Sequence, residues 1–255
     1  MNDPHVSVLL YRVKHNETVN YDTAQPLDYE DPDFRLSVKD REARFVMKAH
    51  FASIEQARAA VQPFIRQWEL TTALDRGPGE FELVFADAVV EDRNPTPGVV
   101  HVKAVRGMVI GDSVSMVVVR AYPQPPQGIA INADVAVMAL RYAQYREGKD
   151  TLAGMAYFCL TVLEQAAGNR AAISAKYGIA STVIRKLGCL TGKKGGVEAR
   201  KGGGRSNEFT PDERNWIDEA VKILIRRAAQ VAHDHTATDP QITMAALPKL
   251  SDGRN

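Results

Sequence analysis

Residues 123–128 read Pro-Gln-Pro-Pro-Gln-Gly, and neither a strand nor a helix can run through them. Proline offers no N–H to a ladder and locks φ, so consecutive prolines force an extended connector. The hydrophobic period changes across this stretch. Before it, β-rich runs are bounded by turn residues; beyond it, apolar residues recur every three or four positions. A chain of 255 residues is thereby split into two parts, each long enough to bury a core of its own.

The first part reads as an α+β domain over residues 1–123, a largely antiparallel sheet with one helix. HVSVLLYRV (5–13), FRLSV (34–38) and ARFVMKAHF (43–51) have strand composition. Ser53 opens a helix, with Gln56 completing a capping box and Ile54, Ala57, Val61, Ile65, Trp68 and Leu74 forming its apolar stripe. RGPGE (76–80) stops it. Strands are then predicted over 81–90, 98–110 and 113–122, the last two joined by a tight turn at Gly111-Asp112.

A Pro-rich linker (124–131) leads to an all-α helical-bundle domain over 132–235. Asn132 caps a helix across 133–146 and Asp150 another across 151–167, followed by short helices at 170–177 and 181–187. Thr210-Pro211-Asp212-Glu213 combines a capping box, a proline at the first helical position and acids in the first turn. The helix it starts runs to about His233. Between Cys189 and Phe209 the sequence reads as a long connector, and residues 236–255, which keep no period, as a flexible tail.

Charge is unevenly placed. Residues 1–123 hold 14 Lys+Arg against 18 Asp+Glu, whereas 185–227 hold 11 against 6. A polyanion would therefore meet the second half. No apolar run reaches the roughly 20 residues that span a bilayer, and the N-terminus has no signal-peptide pattern, so a cytoplasmic protein with no membrane partner is expected. Cys159 and Cys189 lack metal-ligand spacing and read as reduced thiols. DYEDPDF (28–34) reads as a solvated acidic turn, and HDH (233–235) has no third ligand beside it. Neither a metal nor a cofactor is expected. In RYAQYR (141–146), Arg141/Tyr145 and Tyr142/Arg146 stand at i,i+4, where side chains of one helix pair with each other.

The segment TGKKGGVEARKGGGR (191–205) invites comparison with a phosphate-binding P-loop. Gly188 and Gly192 stand one residue too close, Lys194 occupies the hydroxyl position, and a helix precedes the segment where a strand is needed. It is not a P-loop. The residues before it, AISAKYGIASTVIRKLG (172–188), resemble the helix-turn-helix motif of DNA-binding proteins. Gly178 takes the turn, and Ile173, Tyr177, Ile179, Ile184 and Leu187 take the buried positions. The resemblance implies a recognition helix exposing Ser181, Thr182, Arg185 and Lys186. Lys193, Lys194, Arg200, Lys201 and Arg205 would reach phosphates beside it, so that DNA or RNA is contacted through residues 181–205.

The helical half also resembles HEPN-like domains, found in bacterial defence systems, whose active members are metal-independent RNases. Arg227 and His233 have the loose spacing of that family's Arg–His pair. The resemblance implies that Arg227 steadies phosphate charge while His233 moves a proton. Three readings follow: a non-enzymatic nucleic-acid-binding or regulatory protein, a HEPN-like RNase or defence effector, and a bundle for homo-oligomerisation or partner docking.

Overall fold

The computed structural model describes residues 2–95, 118–194 and 208–250. The chain forms two compact units that divide between Pro125 and Pro126, inside the proline-rich stretch. The expected linker is attached early to the second unit, since Ala130 N–H donates to Ala229 O at 2.9 Å.

The first unit is α+β. Strands β1 (Pro4–Lys14), β3 (Leu27–Glu30), β4 (Phe34–Lys39), β5 (Glu42–Met47) and β6 (Glu82–Asp92) form an antiparallel sheet in the order β3-β4-β5-β1-β6. A two-residue strand β2 (Val19–Asn20) pairs in parallel with β7 (Val118–Val119). Because β5 and β6 both run antiparallel to β1 from opposite sides, helix α1 (Ile54–Arg76) is the crossover of a split βαβ unit.

Strict alternation explains the core. Phe34, Leu36 and Val38 on β4, with Ala43, Phe45 and Met47 on β5, are buried, while Arg35, Lys39, Glu42 and Arg44 face out. Helix α1 packs on the buried face through Phe64, whose ring meets Phe34 at 5.1 Å and Tyr29 at 5.2 Å, and through fully buried Trp68 against Phe81 at 4.6 Å. The Trp68 indole N–H donates to Pro123 O (3.2 Å), so the ring has no unsatisfied donor. Ser53 caps the helix by accepting from Gln56 N. Pro63 sits inside α1 at an exposed position, where a proline's missing N–H and ring are least costly to a helix.

One strand expectation changes. The first part of the expected acidic turn at 28–34 belongs instead to edge strand β3: Leu27 and Tyr29 pack on the core, and Asp28 and Glu30 alternate outward. Burial of two residues at period two outweighs the loop-like composition of their neighbours. The predicted strand at 98–110 and the Gly111-Asp112 turn lie outside the described residues.

The second unit is all-α: α2 (Ala133–Arg146), α3 (Leu152–Ala167), α4 (Ala172–Tyr177), α5 (Ser181–Lys193) and α6 (Pro211–His233). Asn132 caps α2 by accepting from Val135 N, and the full Thr210–Glu213 capping box opens α6 with Pro211 in its first turn. Helix α3 is capped by Thr151, one residue beyond the expected Asp150. The Asp150 carboxylate is held by Arg141 at 2.5 Å, which leaves the Thr151 hydroxyl to accept from Gly154 N. Buried Met155, Cys159, Leu160 and Leu163 of α3 place it at the centre of the bundle, and burial pushes the Cys159 thiol up to about 12, an inert group. No helix among the described residues is long and apolar enough to cross a membrane.

Candidate nucleic-acid interface

Helices α4 and α5 meet at Gly178, which adopts φ 58°, ψ 38°, the left-handed conformation that glycine enters without a Cβ penalty. Ile173, Tyr177, Ile179, Ile184 and Leu187 are buried, together with Val183. Opposite them, Ser181, Thr182 and Arg185 are exposed and Lys186 is half-buried. The residues expected to contact nucleic acid thus lie on the solvent side of a helix whose other side is core.

Helix α5 is longer than expected. It continues from Leu187 to Lys193, so Gly188 and Gly192 are helical residues and the connector begins only at Lys194. Each helical glycine costs about 1 kcal/mol relative to alanine. Burial of Leu190 and Thr191 offsets this, and the Thr191 hydroxyl donates to Leu187 O at 2.8 Å. Gly188 has a packing reason as well. A Cβ there would stand 3.1 Å from Arg170 Nη1 and 3.5 Å from Leu160 Cδ2, where α5 crosses close to α3.

The basic residues after α5 are not equivalent. Lys193 is the last residue of the helix, and Lys194 follows as its C-cap. The Lys194 ammonium pairs with Glu213 at 2.7 Å, tying the end of α5 to the start of α6. Burial works against the Glu213 carboxylate, but Lys194 and the Thr210 N–H outweigh it and hold its pKa below the usual glutamate value. Lys194 is therefore committed within the fold. Arg200, Lys201 and Arg205 lie outside the described residues.

The Arg227–His233 pair does not form a common open site. Arg227 is only 5% exposed. Its Nη1 donates to Tyr177 O (3.4 Å) and Ala237 O (3.3 Å), and its Nη2 to Pro240 O (2.7 Å). His233 is exposed at the end of α6. In this arrangement the Arg227 Nη groups are spent on three backbone carbonyls, as the burial of a guanidinium demands of its donors.

What Arg227 holds is the segment expected to be a loose tail. Residues 236–247 fold back on the α4–α5 turn: Ile242 N–H donates to Gly178 O and Ala180 N–H to Ile242 O, both at 2.8 Å. Ile242 and Leu247 are buried. Gly178 is the point of closest approach, since a Cβ built there would lie 2.0 Å from Thr238 O and 2.9 Å from Arg227 Nη1. Isolated apolar residues at positions 242 and 247 carry no periodic signal, so sequence patterning misses this strap.

Between α2 and α6 the polar groups satisfy one another. Arg146 donates to Tyr142 Oη (3.2 Å), as the i,i+4 spacing predicts, and the buried Tyr142 hydroxyl donates to Asp218 (3.1 Å). Asp218 and Glu219 also hold Lys222, whose pKa they raise against the opposing effect of burial. Arg141 pairs with Asp150 and stacks over Phe158. These pairs tie α2 to α6 and to the start of α3, whereas on α5 Arg185 is exposed and Lys186 half-buried, the latter near enough to Glu213 to help hold its carboxylate ionised. Comparison with known proteins finds no matching family model, no matching curated protein and no matching solved structure.

Proposed function

We propose that the second unit binds the backbone of a nucleic acid through α5 and the basic segment that follows it, in a non-enzymatic binding or regulatory role. The observation that supports this is the division of α5 into two sides: a buried apolar side and a solvent side with Ser181, Thr182 and Arg185 exposed beside Lys186. Short hydroxyls and cations on a rigid helix suit phosphate and base-edge contacts. Lys186 and Lys193 stand seven residues apart, two turns along α5, with Arg185 beside the first, and the sequence leads on to Arg200, Lys201 and Arg205. Cations of this kind supply salt-dependent affinity without base information.

Binding to mixed DNA and RNA duplexes, read by fluorescence anisotropy across a salt titration, tests the proposal. Affinity should fall steeply with salt, and neutralising Lys193, Arg200, Lys201 and Arg205 together should largely abolish it. Unchanged binding removes the segment from the interface. The same incubation, analysed for strand scission without added metal, tests the RNase alternative, which requires cleavage that His233→Ala destroys. A docking bundle would show neither behaviour and would run as a dimer or larger by light scattering.

A further inference from the structure

The Arg227 guanidinium is an anomaly that its structural role leaves unexplained. It is buried, its Nε has no hydrogen-bond partner, and every acceptor its Nη groups use is a neutral carbonyl. The Asp239 carboxylate attracts it only through space. Buried arginines ordinarily face an anion. Two of the three acceptors, Ala237 O and Pro240 O, belong to the strap, and a third strap carbonyl, Ile242 O, takes the Ala180 N–H. Ala180 is the N-cap of α5 and gives that helix no side-chain cap. The strap's carbonyl oxygens thus occupy donors on either side of the Gly178 turn: the Ala180 N–H that begins the proposed binding helix, and the Arg227 guanidinium, whose Nη1 would lie 2.9 Å from a Cβ at Gly178.

We propose that residues 236–247 are an autoinhibitory latch, whose carbonyls stand where the oxygens of a phosphate group would bind, and whose release adds Arg227 and the α5 N-terminus to the interface. The latch rests on the reading of α5 as a phosphate-contacting helix. Its attachment suits a detachable element. One residue, Ile242, makes the backbone pairing, and Ile242 and Leu247 are its buried apolar anchors. Undocking returns the Arg227 charge to water or to an anion, so the donors lose no partner in the open form.

The test uses the full chain with Ile242→Ser, and Leu247→Ser as a second way to loosen the strap. Circular dichroism checks that the helices persist, and amide exchange that Ala180 and Ile242 have become faster. Inorganic phosphate is then titrated while the Ala180, Ser181 and Arg227 Nε resonances are followed by NMR. Binding at these resonances should be about tenfold tighter in a loosened chain than in the parent, and Arg227→Met in the same background should abolish the gain. Equal phosphate affinity in parent and loosened chains, with the exchange rates shown to have risen, overturns the latch. If instead both loosening variants lose their helices, the strap is part of the obligatory fold and the latch is overturned as well. Duplex anisotropy on the same proteins separates the two ideas: phosphate binding without duplex binding rejects the nucleic-acid reading and keeps the latch, whereas duplex binding that loosening leaves unchanged does the reverse.

Discussion

Gly178→Ala is the substitution for which the structure specifies the largest effect with the fewest atoms. An alanine held at φ 58° costs about 1–2 kcal/mol from its own backbone. The added methyl would also lie 2.0 Å from Thr238 O, so the strap must retreat. Retreat breaks the Ile242–Gly178 and Ala180–Ile242 hydrogen bonds, about 1 kcal/mol each. The sum is about 3–4 kcal/mol, a large share of the stability of a unit this size. The chain has two tryptophans, Trp68 in the sheet unit and Trp216 in α6. Urea unfolding followed by Trp216 fluorescence in a Trp68→Phe background therefore isolates the helical unit. The midpoint should fall by that amount while the slope holds. Gly178→Asn separates the two causes, because asparagine tolerates the left-handed region but carries the same Cβ. Asparagine should recover at most the backbone part, about 1–2 kcal/mol, and leave the loss due to the strap. A loss below about 1 kcal/mol for alanine, or near-complete recovery with asparagine, refutes the close approach of strap and turn.

Glu213→Ala removes the capping box and the Lys194 pair together and should cost about 1–2 kcal/mol in the same unfolding assay; a change within error would show that α6 does not depend on its cap. His233→Ala, at an exposed helix end, should leave stability within about 0.5 kcal/mol, and a larger loss would contradict its exposure. In the sheet unit, His5 is buried against His50 with ring centroids 5.3 Å apart. Burial, then Arg93 and His50, lower its pKa below 6.5, with Glu91 and Asp3 opposing. The folded state therefore takes up its proton at lower pH than the unfolded chain, and the stability this gives is present above about pH 6.5 and lost as pH falls below it. Unfolding followed by Trp68 fluorescence should show stability declining from pH 7 to pH 5, less so in His5→Phe; equal pH dependence in the two proteins would exclude His5 as the cause.

The sequence makes the architecture legible wherever local signals agree with burial. The alternation in β4 and β5 and the capping box at Thr210 each have a single physical reading, and each is found. The errors share a cause: burial by distant residues overrides weak local propensity. Gly188 and Gly192 look like loop residues until Leu190 and Thr191 are seen to pack. Thr151 displaces Asp150 as a cap only because Arg141 reaches across from α2. For the candidate site, the buried and exposed sides of α5 follow from its period. The fate of Arg227 does not, because it depends on three carbonyls, two of them 10 and 13 residues further along the chain.

The proposal that α5 grips a phosphate backbone is tested most directly by the salt dependence of duplex DNA binding in the parent chain and in Arg185→Gln/Lys186→Gln. Each phosphate contact contributes about 0.9 to the slope of log Kobs against log salt. If both cations reach phosphates, the paired substitution should flatten that slope by about 1.8 while leaving the helical unit folded. An identical slope in the two proteins, or no binding by the parent at low salt, would contradict it.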